Sequence, residues 1–258
     1  HMRNASPATA SRGGVLFLNE ADVGWRPLLD HWISLKGDER GKGERDRIMS
    51  HLAQLSDTYI APTLSFIRKQ KLATITPIMD IAMVEALTKL LDGLLTPENV
   101  PNGSERDAYE CWFQLAAVWA FGGALAADKV ADHRKTFSDW WRGEWAKMSV
   151  KWPDGGVVFD YFVTPTTPRA RAHWRERIPS YTHLGVGDFA SIVVPTMETT
   201  RLSFLLDLLT PHRVPVMLVG NAGCAKSTVL ADKLRSIPDN TLSYTINFNS
   251  FSDSSSLQ

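Results

Sequence analysis

One stretch restricts the folds open to this sequence more than any other. Val214-Pro215-Val216-Met217-Leu218-Val219 is a continuous apolar run of the kind found in a strand buried on both faces of a parallel sheet. Gly220-Asn221-Ala222-Gly223-Cys224-Ala225-Lys226-Ser227 follows directly, and Thr228 to Leu234 continues as a helix with Val229, Leu230 and Leu234 on one side. Strand, Gly-rich turn, Lys-Ser and helix is the order of a phosphate-binding loop, in which backbone N–H groups and a helix N-terminus cradle phosphate oxygens. The order predicts an α/β domain here, with ATP or ADP and Mg as its ligands.

The motif is one residue short. Gly220, Lys226 and Ser227 meet the G-x-x-x-x-G-K-[ST] pattern, but Ala225 stands where the second Gly is required. A left-handed backbone at that position costs an Ala about 1–2 kcal/mol relative to Gly, which weakens affinity without abolishing it. By role, Lys226 bridges the outer phosphates, Ser227 ligates Mg, and the N–H groups from Ala222 to Lys226 hold phosphate oxygens. Asn221 and Thr228 flank that cradle, and Cys224 contributes its backbone alone. The bland alternative is an ordinary strand-loop-helix turn carrying a surface lysine.

A helical region precedes the loop. From Asp22 to about Lys147 the apolar spacing is helical, with breaks at Gly37 to Gly43, Thr74 to Pro77, Thr96 to Ser104 and Ala126 to Asp128, giving four or five helices. Ile78, Ile81, Ala82, Leu87, Leu90 and Leu91 mark the inner face of the third, and Ser104 with Asp107 resembles an N-cap ahead of the fourth. Trp112, Trp119, Trp140, Trp141 and Trp145 are read as core, not as a ligand cage. After the turn at Trp152 to Gly156, Val157 to Val163 reads as a strand with a possible hairpin partner. Arg169, Arg171, Arg175 and Arg177 around Trp174 read as a solvated hairpin arm. Thr196 to Thr210 is a helix with Leu202, Leu205, Leu206 and Leu209 on one face, stopped by Pro211. Val15 to Leu18, and Leu242 to Phe248 with its alternation, read as further strands.

Composition narrows the partners. Lys+Arg and Asp+Glu both number 28, so no net field draws the chain to nucleic acid or to an anionic membrane. No apolar run approaches the length of a membrane span. The 2 cysteines, Cys111 and Cys224, form neither a disulfide framework nor a zinc spacing, which favours a reducing, cytoplasmic setting. No apolar strand ending in Asp or Glu follows Ser227 to complete a Mg and water site, so the nucleotide domain reads as begun and unfinished, a slice of a larger protein.

Three blocks carry a family resemblance: Arg3 to Leu16 with Asp22-Val23-Gly24-Trp25, Val157 to Val163, and Val194 to Arg201 followed by Pro215 to Ser227. The chain resembles the motor region of a dynein heavy chain, from the end of its second AAA+ module into the start of its third, in wording closest to an axonemal outer-arm chain. The resemblance implies three parts: the end of a large α/β subdomain at 1–19, a helical small subdomain at 20–150, and the start of the next P-loop domain at 151–258. It implies that Asn4 is a sensor-like residue and that Arg12 is an arginine finger presented in trans to the preceding module's nucleotide. Val193, Val194 and Pro195 would line the adenine side of a regulatory third site. The implied partners are neighbouring AAA+ modules of the same chain and, through the parent, the microtubule and other dynein subunits. The implied setting is the cytoskeleton of a cilium or flagellum, the axoneme. An ATPase motor is then a property of the parent, and this chain alone is expected to show no steady-state turnover. Two alternatives stay open at this point: a self-standing P-loop NTPase or kinase-like enzyme, and a non-catalytic helical adaptor with a decayed loop.

Overall fold

The computed structural model of the chain describes residues 6, 18–39, 41–127, 131–165, 170–180, 194–237, 241–248 and 253. A short helix α1 (Glu20–Val23) leads into five longer ones: α2 (Arg26–Glu39), α3 (Arg45–Lys69), α4 (Asp80–Leu94), α5 (Arg106–Gly122) and α6 (His133–Glu144). The expected breaks at Thr74 to Pro77 and Thr96 to Ser104 therefore fall between helices, whereas the one at Gly37 to Gly43 is corrected at its start, since α2 runs through Gly37 to Glu39. Pro62 lies inside α3, where it withholds one N–H, yet the helix runs its full 25 residues. Packing of its inner face, Ile48, Leu52, Leu55, Tyr59 and Ile60, outweighs that local loss.

The centre of the bundle is α5, with residues 108–118 all buried. A helix apolar on all sides is stable only when surrounded, and α3 and α4 both pack against it. The predicted cap at Ser104 is corrected by the structure. Glu105 occupies the N-cap of α5 without a side-chain bond, while the Ser104 hydroxyl donates to the Pro101 carbonyl at 2.6 Å and closes the preceding turn. At α6 the rule holds: the Asp132 carboxylate accepts from the Lys135 N–H at 2.9 Å.

Trp112, Trp141 and Trp145 are core, as their spacing implied, and Trp119 and Trp140 pack half-buried against it. Trp141 is fully buried and stacks on Tyr59 with ring centroids 5.8 Å apart, and Trp140 lies flat on Phe66 at 4.2 Å. The core continues past residue 150. Phe159, in a 3-10 turn at Val158–Asp160, meets Trp119 edge-on at 5.5 Å, and a Cβ on Gly122 would come within 2.6 Å of its ring. Gly93 is likewise pressed against Leu208 of α7 (Met197–Leu209), at 2.5 Å for an added Cβ, so a larger residue at either glycine would part the segments.

Only the second half of the expected strand at Val157 to Val163 is extended. β1 (Tyr161–Val163) pairs antiparallel with β2 (Arg171–His173) in the register Tyr161 to His173, Phe162 to Ala172 and Val163 to Arg171. That hairpin is not a solvated arm. Trp174 is fully buried between Phe162 and Phe204, and the Arg171 guanidinium lies 3.6 Å over the Trp152 ring while donating to Gln114 Oε1 at 2.6 Å. Arg175 and Arg177 do face solvent.

The structure also corrects the strand expected at Val214 to Val219. Val216, Met217 and Val219 are exposed, and no described residue pairs with them. Leu242, Tyr244, Ile246 and Phe248 are exposed in the same way. A parallel strand is stable as a strand only between neighbours that satisfy its N–H and C=O groups, and none stands beside either run among the described residues. Of the strand read at Val15 to Leu18, only Leu18 is described, and it too is exposed. No helix among the described residues is long and apolar enough to cross a membrane.

His51 gives the bundle a pH dependence. Its Nδ1 is buried with no hydrogen-bond partner among the described residues, and burial, with Arg47 and Arg106 adding to it against the opposing Glu105 and Glu44, holds its pKa below the usual imidazole value. The unfolded chain therefore takes up this proton first as pH falls. The stabilisation is complete above the unfolded value near 6.5 and is lost as pH drops through the lower folded value. Melting curves between pH 7.5 and 5 should fall more steeply for the native sequence than for His51→Gln, and parallel curves would remove His51 from the account.

Candidate functional site

The phosphate loop leads into α8 (Lys226–Arg235), whose first buried residue is Val229. The helix starts here because the Val229 N–H bonds the Ala225 carbonyl at 2.9 Å, while Gly223, at φ +80°, turns the chain sharply just before it. The first-turn N–H groups of α8 receive no side-chain cap, and no acidic residue sits in that turn. Such an end offers unpaired donors and positive potential to an anion. Lys233 forms an ion pair with Asp207 and ties α8 to α7.

Ala225 is left-handed, at φ 61° and ψ 17°, the condition under which the missing Gly is costly. Ala225→Gly relieves that strain but adds chain entropy to the unfolded state, leaving a net gain of roughly 0.5–1 kcal/mol. A melt should rise by about 1–3 °C for a chain of this size. An unchanged or lower melting temperature would mean that the loop carries no strain.

The Lys226 ammonium folds back over the loop. It donates to the Gly220 carbonyl at 2.8 Å and the Asn221 carbonyl at 2.7 Å, and lies 3.4 Å from Cys224 Sγ. The Cys224 thiol donates to the same Asn221 carbonyl at 2.9 Å. Gly220, Asn221, Cys224 and Lys226 are thus drawn together, and Ala222, Gly223, Ser227 and Thr228 stand exposed around them. The inward turn of the Cys224 side chain was not legible, since the motif uses that position for its backbone alone.

The other predicted site residues are placed less closely. Val194 and Pro195 immediately precede Thr196, whose hydroxyl accepts from the Thr199 N–H at 3.2 Å to cap α7. No hydrogen bond or ion pair among the described residues joins them to the loop. Asn4, Arg12 and Val193 lie outside the described residues.

The sequence reading placed the Arg171 guanidinium in solvent and gave Arg201 no role, and the structure buries both. Arg201 of α7 pairs with Glu198 and with Asp160 Oδ1 at 3.7 Å, and faces the Trp119 ring at 5.8 Å. Arg171 belongs to a buried polar network. Its guanidinium bonds Gln114, the Gln114 amide donates to the Tyr59 hydroxyl at 2.7 Å, and that hydroxyl donates to Glu110. Burial pulls the Arg171 guanidinium down to about 10, still charged at neutral pH. Burial and the Glu110 carboxylate push the Tyr59 phenol up. Arg171 has no local signal, because Gln114 and Trp152 are distant along the chain, and for Arg201 only Glu198 is near, while Asp160 and Trp119 are distant.

A helical bundle whose core takes in a hairpin, followed along the chain by a phosphate loop at a helix N-terminus, is the layout of a lid domain joined to the start of a P-loop nucleotide-binding domain. Residues 52–176 match the family model for the dynein heavy chain AAA lid domain, and residues 182–258 match that for the P-loop containing dynein motor region. The chain belongs to the dynein heavy-chain family. Over its whole length it is 38% identical to the ciliary dynein beta chain of Tripneustes gratilla and 38% identical to the dynein axonemal heavy chain 17 of Homo sapiens. It is 39% identical to the flagellar outer-arm dynein beta chain of Chlamydomonas reinhardtii. The chain spans about 6% of the length of each of these relatives. The lid match runs through residue 176, in keeping with a core that passes residue 150 and takes in the hairpin.

Proposed function

We propose that this chain is the helical lid of the second AAA+ module and the nucleotide-binding start of the third in a heavy chain of an axonemal outer-arm dynein, and that its phosphate loop holds Mg·ATP or Mg·ADP at a regulatory site. The carrying observation is the Lys226 ammonium seated over the Gly220 and Asn221 carbonyls at the N-terminus of α8. The residues fit the ligand: the helix end supplies unpaired N–H groups, Lys226 supplies a mobile cation, and Ser227 is exposed beside them to take Mg. Bound Mg supplies charge neutralisation between phosphate oxygens. Val193 to Pro195 would form the adenine side, and Arg12 and Asn4 would serve the nucleotide of the preceding module.

The mechanical role follows from the joint. Lid helices and hairpin share one apolar core and the Tyr59–Glu110–Gln114–Arg171 network, so a rotation of the lid carries the following segment with it. In the parent, that rotation would pass between modules of an ATP-driven microtubule motor in a cilium or flagellum, alongside the other dynein subunits.

Calorimetric titration of Mg·ADP and Mg·ATP into the folded chain tests the reading. Saturable binding supports it. Silence from both the native chain and Ala225→Gly, each folded by circular dichroism, overturns it in favour of a non-binding adaptor, the reading that the left-handed Ala225 favours.

A further inference from the structure

Two side chains turn inward on the carbonyls of the phosphate loop, and they compete for one of them. An ammonium has three protons and no acceptor. Lys226 has three acceptors within reach: Gly220 O at 2.8 Å, Asn221 O at 2.7 Å and Cys224 Sγ at 3.4 Å. Every proton is engaged, so an arriving phosphate oxygen must displace at least one. The three are not equally held. Asn221 O already has a second donor in the Cys224 thiol, at 2.9 Å, whereas Lys226 is the one side-chain donor to Gly220 O among the described residues. The thiol also lies close against Gly220, where an added Cβ would stand 2.7 Å from Sγ and push the side chain from its place.

We propose that Cys224 is a positioning residue of the phosphate site: its thiol keeps the Asn221 carbonyl bonded while the Lys226 ammonium swings to the phosphate. Releasing a carbonyl that retains a donor costs less than releasing one left bare, so the thiol raises affinity for a phosphate-bearing ligand although it does not touch it. The proposal rests on the nucleotide reading above and names the residue that tunes it.

The test compares Mg·ADP affinity for the native chain, Cys224→Ser and Cys224→Ala, with melting curves to establish that all three fold alike. A hydroxyl can replace the thiol as donor; a methyl cannot. The expected result is a Ser variant within about twofold of native and an Ala variant about three- to tenfold weaker, the size of one weak hydrogen bond. A cysteine acting only through packing would lower the melting temperature of the Ala variant together with its affinity, and Ser would not restore either. Equal affinities for native and Ala overturn the proposal, and tighter binding by Ala overturns it in the other direction, making the thiol a restraint on Lys226. Absence of binding in all three defeats the nucleotide reading itself and this proposal with it.

Discussion

Lys226→Ala should abolish most of the chain's affinity for Mg·ADP and Mg·ATP while leaving its melting temperature within about 1 °C of native. The two readouts separate because Lys226 acts differently in the two states. Without ligand its ammonium bonds only carbonyls of its own loop, so its removal leaves the apolar core of the bundle untouched. With ligand it forms charge-assisted bonds to phosphate oxygens, each worth about 1.5–3 kcal/mol, or one to two orders of magnitude in affinity. Parallel calorimetry and thermal melts would check both halves. Undiminished binding would move the nucleotide, if bound at all, away from this loop; a large fall in melting temperature would make Lys226 a structural residue.

The second large effect lies in the lid. Trp141→Ala should destabilise the bundle by about 3–5 kcal/mol, and for a chain of this size lower its melting temperature by roughly 10 °C. Trp141 is fully buried, stacked on Tyr59 and packed against Phe137, with Trp140 and Trp145 edge-on at 6.2 and 6.0 Å. Its indole N–H has no partner among the described residues, so the change removes packing and no hydrogen bond. Trp141→Phe keeps a ring against Tyr59 and should recover more than half of the loss. A shift below about 2 °C for the Ala variant would show that the aromatic cluster collapses around the gap without cost. Because Tyr59 belongs to the network that reaches Arg171, the same variant should also loosen the hairpin, readable as faster amide exchange at Tyr161 to Val163.

Local chemistry was legible in proportion to its range. The helix breaks could be read from Gly, Pro and Thr clusters because a turn is decided by the few residues in it. The phosphate loop could be read for the same reason: Lys226 reaches back only to Gly220 and Asn221, and the strain at Ala225 belongs to one residue's φ. Ser104 shows the limit even at short range. Its hydroxyl had two local acceptor or donor choices, and the turn at Pro101 took it.

Pairing and long-range contact were decided elsewhere. Val214 to Val219 has the composition of a buried strand, but burial is a property of neighbours, and none covers it among the described residues. Arg171 has the look of a solvated cation and instead lies on Trp152, bonded to Gln114, 57 positions away. Arg201 stacks its charge near Trp119 and Asp160 for the same kind of reason. By itself the sequence determined the helical region, the tryptophan core and the phosphate loop, since each rests on periodicity or on contacts within a few residues, while the family entered through the resemblance of three blocks of wording. Only the tertiary structure decided that the core crosses into the hairpin, which arginines are buried, and that the Cys224 thiol shares a carbonyl with Lys226, because those outcomes depend on where distant surfaces and neighbouring side chains come to rest.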